Sequence, residues 1–181
     1  MTSKPFPGES QNAKTVVYSR VTMSIMMQPQ DANPAGIVHG GVVMKHIDDA
    51  AGVVALRHTR CNVVTASIDR LDFHNPAFIG NLLSLKASLN LVGTTSMEVG
   101  VRVETEDLRT GEIRHTASAY LTFVALDENF RPRSVPPLVL ETDEDRRRNR
   151  QASDRRRVRL KEKTHEKSCR HGADSCGQPT E

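Results

Sequence analysis

Residues 41–58 constrain this chain more than any other stretch, because as a helix they would be apolar on almost every side. A helix with only a narrow polar stripe is usually buried on most of its surface. Two adjacent carboxylates, Asp48 and Asp49, nevertheless lie within this stretch. An unpaired carboxylate is costly to bury, so these acids need a structural or a chemical reason to be there.

Segments rich in β-branched and alternating apolar residues stand before and after the predicted helix. They predict one strand before it and four after it, at 15–27, 63–73, 82–92, 96–106 and 113–126. The alternation is clearest in two strands, whose predicted inward-facing residues are Leu83, Leu85, Ala87, Leu89 and Leu91, then Met97, Val99, Val101 and Val103. Short turns favour an antiparallel meander. A five-stranded antiparallel sheet that curls round one apolar helix is an α+β arrangement.

Composition divides the chain into three segments. Residues 1–13 contain Pro, Gly and Ser and predict a flexible lead. Residues 14–140 predict the folded domain, and residues 141–181 predict a charged tail that is mostly disordered or helical, because they hold too little apolar surface to fold alone. We expect this tail to be solvated.

Several classes of protein are disfavoured by what the sequence lacks. No apolar run approaches the roughly 20 residues that a membrane-spanning helix needs. The first residues are polar, unlike a signal peptide, and three cysteines make no disulfide framework. We therefore expect a cytoplasmic protein with no membrane span.

The net charge of +3 is mild, although Arg triplets at 146–148 and 155–157 stand out. Such clusters could bind nucleic acid or anionic lipid, but acids are interspersed among them. Aromatic residues are few, which argues against stacking platforms for single-stranded nucleic acid. No nucleic-acid partner is expected. Cys169, His171 and Cys176 lack the spacing of a Cys-x-x-Cys pair, so no metal site is predicted.

Turn-forming residues lead into the predicted helix and end in the pair Gly40-Gly41. The first N–H groups of a helix have no internal partner and form the positive end of its dipole. Glycine lets a ligand approach that backbone closely. Gly40 and Gly41 could therefore present N–H groups to a developing oxyanion or to an anionic group. A tight turn into a helix explains the glycines equally well.

One motif, formed by Asn33, Gly36, His39, Gly40, Gly41 and Asp48, resembles the signature of the hotdog-fold acyl-CoA thioesterases of the brain acyl-CoA hydrolase type. The resemblance covers about 15–148 and includes a weaker similarity at 123–137. It implies the hotdog fold, in which a five-stranded antiparallel sheet wraps around one long central helix. It also implies hydrolysis of acyl-CoA to free CoA and a carboxylic acid. Coenzyme A would be part of the substrate, and no separate cofactor is implied.

The resemblance implies catalytic roles for two polar residues of the motif. Asp48 would act as general base or nucleophile, for which desolvation on an apolar helix suits a carboxylate. Asn33 would orient the attacking water or polarise the thioester carbonyl. Structural roles remain the alternatives: a hydrogen bond for Asp48 and a turn for Asn33. Asp49 is expected to be structural or interfacial, and His39 is assigned no catalytic role.

Helical geometry separates two of these groups within one subunit. Gly41 and Asp48 lie on one face but about 10 Å apart along the axis, too far to serve the same carbonyl easily. Hotdog proteins commonly dimerise with their helices antiparallel, so the resemblance implies a composite site. Asn33 and the amides of Gly40 and Gly41 would come from one subunit and Asp48 from the other. A homodimer, or a hexamer of three dimers, is therefore expected.

Two further segments are candidates for binding coenzyme A. Hydroxyl and N–H groups at the turn of Thr94, Thr95 and Ser96 suit phosphate or pantetheine amides, and the resemblance places CoA contacts near here. Arg131 and Arg133 could pair with the CoA phosphates. An ordinary hairpin turn and a solvated basic loop are equally good explanations.

Two other functions compete with hydrolysis. Hydratases and dehydratases of acyl thioesters usually pair Asp with a nearby His in a different motif, which this sequence lacks. A non-catalytic acyl-CoA sensor whose basic tail contacts DNA would need a DNA-binding domain such as a helix-turn-helix, and none is visible. Hydrolysis is therefore favoured.

Overall fold

The computed structural model describes the backbone of residues 12–173, and the side chains as far as residue 162 together with residue 164. This part of the chain contains three α-helices, α1 (Val16–Ser19), α2 (Gly40–Thr59) and α3 (Asp143–Ala173), and a 3-10 turn at Pro29–Asp31. The strands are β1 (Lys14–Thr15), β2 (Val21–Met26), β3 (Asn62–Phe73), β4 (Leu82–Val92), β5 (Ser96–Asp107), β6 (Glu112–Leu126) and β7 (Leu138–Val139). The side chains of Cys169, His171 and Cys176 lie outside the described set.

Five antiparallel strands form the main sheet, in the order β2-β4-β5-β6-β3, and all five contact α2. The predicted hotdog fold is thus confirmed. The inward-facing residues predicted for β4 and β5 are buried, with one exception. The prediction that Leu91 faces inward is wrong: a register shift between Leu89 and Leu91 pairs it with Glu98, which contacts α3 on the outer face of the sheet. The other predicted residues pack against the helix residues Val43, Ile47, Ala50, Ala51 and Val54. No helix within residues 12–173 is long and apolar enough to cross a membrane.

The connectivity differs from a simple meander. Strands β4, β5 and β6 follow one another as predicted, but β3 crosses to the far edge and pairs with β6. Eight residues, 74–81, connect β3 to β4, whereas hairpin loops usually have two to five residues. The longer connection passes over the end of the sheet, so the two strands do not pair.

The strand predicted at 15–27 is interrupted. Thr15 caps a single helical turn, α1, because its hydroxyl accepts a hydrogen bond of 3.3 Å from the N–H of Tyr18. The N-cap overrides the β-propensity of the two valines that follow. The strand proper begins at Val21, and β1 pairs instead with β7, in parallel.

Strand β3 contains two irregularities that the alternation pattern did not show. Register shifts occur between Thr65 and Ser67 and between Ile68 and Arg70, and an extra residue turns the following side chains to the other face. Thr65, before the first shift, faces α2, whereas Asp69, after it, faces away from α2 and bonds to Thr122 on the outer side. Regular alternation would predict that Thr65 and Asp69 share one face, and the shift places them on opposite faces.

Helix α3 lies across the outer face of the sheet, opposite α2, and contacts β4. Its Ala152 is fully buried, and its Asn149 donates a 2.8 Å hydrogen bond to the carbonyl of Asn90. Arg155 bonds to Glu98, which is 4% exposed. The expected solvated segment is therefore packed against the sheet over at least part of its length. The domain boundary at 140 stays a prediction.

Candidate active site

Asn33 folds the loop before α2 with one end of its amide. Its Oδ1 accepts hydrogen bonds from the N–H groups of Ala35 (2.9 Å) and Ile37 (3.3 Å). Gly36 completes the turn at a φ of +77°, a conformation that favours glycine. Because two backbone donors occupy the oxygen, the amide nitrogen points elsewhere, and it has no hydrogen-bond partner among the described residues. Asn33 thus offers a positioned N–H donor.

His39 caps the start of α2. Its Nδ1 accepts a 2.9 Å hydrogen bond from the N–H of Gly41, which satisfies one of the orphan donors of the first turn. The N–H of Gly40 has no acceptor among the described residues. Only one of the two glycine amides is therefore free, contrary to the expectation that both face a ligand. Asn33 and Gly40 line one pocket of about 360 Å³ together with Phe73 and His74.

Asp48 lies on α2, about 12 Å along the axis from Gly40 by the usual helical rise. Its carboxylate is half-buried, and the hydroxyl of Thr65 donates a 2.7 Å hydrogen bond to Oδ1. Oδ2 makes no hydrogen bond in the described chain. Asp48 does not line the pocket that Asn33 and Gly40 share. One chain alone therefore does not bring the three groups together.

Thr65 is the residue that sequence reasoning missed. A hydroxyl on an exposed strand carries no signal of its own, and only the packing of β3 beside α2 brings it to Asp48. The neighbouring Asp49 is different, because it is 43% exposed at its side chain and pairs with Lys45 at 2.6 Å. Asp49 is thus already partnered at the surface.

The structure places the two predicted CoA-binding segments side by side. The carbonyl of Thr95 accepts from the N–H of Ala125, and the carbonyl of Thr94 accepts from that of Val135, both at 2.9 Å. Arg131 and Arg133 lie between Ala125 and Val135 in the sequence, and their side chains are exposed. These residues lie where β5 begins and β6 ends. Asn33 and Gly40 lie near Phe73, at the opposite end of the sheet.

Two histidines line or adjoin the Asn33 pocket. The rings of His74 and His115 are 4.6 Å apart between centroids. Burial, and then the nearby charge of Arg102, lower the pKa of His115 below its usual value. A neutral His115 is consistent with its contact to Ser118 at 2.9 Å. Among the described residues, no group of three or more His, Cys, Asp or Glu side chains could hold a metal ion.

The chain matches the Thioesterase superfamily model over residues 35–112. It is 43% identical over 127 residues to the uncharacterized acyl-CoA thioester hydrolase YkhA of Bacillus subtilis, covering 70% of this chain and 74% of that protein. It is 39% identical over 147 residues to Protein VdlD of Helicobacter pylori, covering 81% of this chain and 84% of that protein. The mouse cytosolic acyl coenzyme A thioester hydrolase is 36% identical over 136 residues, or 74% of this chain. That match spans only 36% of the mouse protein.

Solved structures agree on the fold. A hexameric acyl-CoA thioesterase superposes with a TM-score of 0.81 at 38% identity, covering 83% of this chain and 97% of that one. The acyl-CoA hydrolase of Staphylococcus aureus, solved with butyryl coenzyme A, coenzyme A and coenzyme A disulfide, gives 0.81 at 32% identity, covering 90% and 99%. Fold and motif thus define a hotdog-fold protein of the thioesterase type. The chain belongs to the acyl-CoA thioester hydrolase family of the thioesterase superfamily, as its sequence motif predicted.

Proposed function

We propose that this protein is an acyl-CoA thioesterase, which hydrolyses acyl-CoA to free CoA and a carboxylic acid. The observation that carries the proposal is the state of Asp48: a half-buried carboxylate on an apolar helix, held at one oxygen by Thr65 and free at the other. A carboxylate that is oriented in this way can act on water or on a carbonyl carbon. The free N–H donors of Asn33 and Gly40 suit the oxyanion that forms.

The relatives support these residues as a set. Structures of the Staphylococcus aureus hydrolase include variants in which alanine replaces an aspartate, an asparagine or a threonine. Those three residues are separated along that chain by the same intervals as Asn33, Asp48 and Thr65 are here. We therefore assign Thr65 as a positioning residue for Asp48.

The complete site needs a second subunit. Strand β3 is an edge of the sheet, and an exposed edge is a template for pairing with another chain. Ile68 pairs with inward-facing Leu121 yet is 43% exposed, and Met44 on the apolar helix is 39% exposed. Antiparallel pairing of two β3 strands would cover these side chains. It would bring Asp48 of one subunit to the Asn33 and Gly40 donors of the other.

The chemistry follows from the donors and the acceptor. Asn33 Nδ2–H and Gly40 N–H polarise the thioester carbonyl, while the free oxygen of Asp48 takes a proton from the attacking water or itself attacks the carbonyl carbon. The tetrahedral oxyanion then collapses, the carbon–sulfur bond breaks, and the CoA thiolate leaves and takes up a proton. Attack by water gives the carboxylic acid directly, whereas attack by Asp48 gives a mixed anhydride, which a water molecule then hydrolyses to the carboxylic acid and the free Asp48 carboxylate. Since His39 occupies the N–H of Gly41, the donor role falls to Gly40. No separate cofactor takes part.

Thiol release from a panel of acyl-CoAs tests the proposal. We expect Asp48→Asn to lose at least about 100-fold in kcat while keeping its melting temperature, because general base catalysis typically contributes that much or more. Asp49→Asn is the matched control and should keep its rate within two-fold, since its carboxylate pairs with Lys45 at the surface. Equal losses in both variants would contradict the assignment. If no acyl-CoA is cleaved although CoA esters raise the melting temperature, the protein is a non-catalytic sensor.

The two roles open to Asp48 can also be separated. A single turnover in ¹⁸O-labelled water leaves the label only in the released acid when Asp48 is the base. Label in the Asp48 carboxylate would identify it as the nucleophile, because water can hydrolyse a mixed anhydride at the Asp48 carbonyl carbon. The dimer or hexamer, the cytoplasmic location and the lack of a nucleic-acid partner stay predictions.

A further inference from the structure

A cavity of about 740 Å³ lies between α3 and the end of β4, and the reaction described above makes no use of it. Leu91 and Leu160 contribute apolar walls, and Arg156, Arg157 and Lys161 contribute positive charge. The cavity is therefore an apolar cleft with a basic rim.

Arg156 differs from the other arginines around it. Arg155 pairs with Glu98, Arg157 with Asp154 and Arg159 with Asp69. Arg156 is half-buried, yet neither it nor Lys161 forms an ion pair or hydrogen bond with any side chain that the structure describes. A charged group that loses water without gaining a partner is unfavourable. An anion in the cavity would supply the missing partner.

The backbone is shaped to receive the Arg156 side chain. A Cβ atom built on Gly93 would lie 2.5 Å from Nη1 of Arg156 and 3.0 Å from its Cζ. With a side chain at position 93, the guanidinium would have to shift away from the turn between β4 and β5. Gly93 directly precedes Thr94 and Thr95, the predicted CoA-binding residues, and that turn is bonded to the segment that carries Arg133.

We infer that Arg156 and Lys161 of α3 bind the phosphate groups at the nucleotide end of acyl-CoA. A guanidinium can hold a phosphate through two hydrogen bonds, and a lysine adds a point charge. Leu91 and Leu160 would pack against the adenine ring. The inference rests on the proposed thioesterase function, and it makes α3 part of the substrate site.

The double variant Arg156→Ala/Lys161→Ala tests this inference with two substrates. We expect KM for acyl-CoA to rise about ten-fold or more, because hydrogen bonds to charged groups are among the stronger ones, with kcat unchanged. KM for the acyl-pantetheine thioester with the same acyl group should not change, since it lacks the nucleotide phosphates. Arg109→Ala/Arg150→Ala is the matched control: both arginines are exposed and neither lines the cavity. It removes equal charge and should behave as wild type.

Calorimetric binding of adenosine 3′,5′-bisphosphate separates this inference from the proposed function. The wild type should bind it in competition with CoA, and the double variant should bind it at least about ten-fold more weakly. Unchanged binding of bisphosphate and of acyl-CoA in the double variant would overturn the inference. So would binding that does not compete with CoA, or inorganic phosphate that binds as tightly as the bisphosphate. If neither thioester is hydrolysed by wild type, the proposed function fails, whereas this binding experiment still decides the role of α3.

Discussion

Removing the guanidinium of Arg155 should loosen α3 from the sheet and destabilise the protein. Arg155 Nη2 lies 2.6 Å from Oε1 of Glu98 and its Nε 3.2 Å from Oε2, while its Cζ sits 3.7 Å from the centre of the Tyr120 ring. Glu98 is only 4% exposed and retains one other bond, from Asn90 Nδ2 at 3.0 Å. Arg155→Ala therefore leaves a buried carboxylate without its positive partner.

The size of the effect follows from this burial. Removing one partner of a buried ion pair lowers the free energy of unfolding by about 3–5 kcal/mol. We expect the lower value because the Arg155 side chain is 23% exposed. About 3 kcal/mol corresponds to a fall in melting temperature of roughly 6–12 °C for a chain of this size. The exposed pair of Arg157 and Asp154 gives the matched control: Arg157→Ala should change the unfolding free energy by less than about 0.5 kcal/mol.

Urea unfolding followed by circular dichroism measures both variants, at one protein concentration because assembly would shift the transition. Hydrogen exchange of the amides of residues 149–160 adds a local readout, since α3 could detach before the domain unfolds. Replacing both partners, with Glu98→Gln and Arg155→Met, should recover part of the loss because no buried charge remains. If Arg155→Ala lies within about 0.5 kcal/mol of wild type and α3 keeps its protection, the buried pair does not hold the helix.

Two further predictions concern Thr65 and His58. Thr65→Val should lower kcat about ten-fold, because a hydrogen bond to a partly exposed charged group is lost. Thr65→Ser keeps the hydroxyl, and its kcat should stay within three-fold of wild type. Equal kcat values for Thr65→Val and wild type would show that Asp48 needs no such positioning. Burial, and then the charge of Lys14, lower the pKa of His58, whose Nε2 bonds to the carbonyl of Pro136 at 2.9 Å. As the pH is lowered below about 6.5, His58 takes up a proton in the unfolded chain before it does so in the folded chain. The free energy of unfolding should therefore decrease as the pH is lowered, by at most about 1.4 kcal/mol per pH unit. Urea unfolding between pH 5 and 7 should show this slope in wild type and lack it in His58→Gln; the same slope in both would exclude His58 as its source.

The helix and the central strands could be predicted because burial leaves a periodic pattern in the sequence. Met97, Val99, Val101 and Val103 alternate with outward-facing residues in a regular strand, and all four are buried. Alternation fails where the register shifts: Thr65 and Asp69 would share a face in a regular strand. An extra residue leaves no mark on composition, yet it turns Asp69 away from α2 to the side of Thr122.

The motif located the candidate site, but it did not show which atoms of each residue are free to contact a ligand. Spacing alone did not show which amide of Gly40 and Gly41 is free, because both stand at the start of the helix. Only the position of the His39 ring shows that one amide is capped and the other free. Likewise Asn33 could donate or accept until the turn fixed its oxygen on two backbone N–H groups. These distinctions are made by local hydrogen bonds, which the sequence does not record.

The Arg triplet at 155–157 shows why a run of basic residues need not form a basic surface. Successive residues of a helix point about 100° apart, so each arginine meets a different environment. Arg155 bonds to Glu98 on the sheet, Arg156 lies against Gly93 at the cavity, and Arg157 pairs with Asp154 in solvent. The charge that sequence reasoning weighed as one cluster is thus largely neutralised by carboxylates. What remains is a single half-buried guanidinium beside the predicted CoA-binding turn, which suits one phosphate group better than a polyanion.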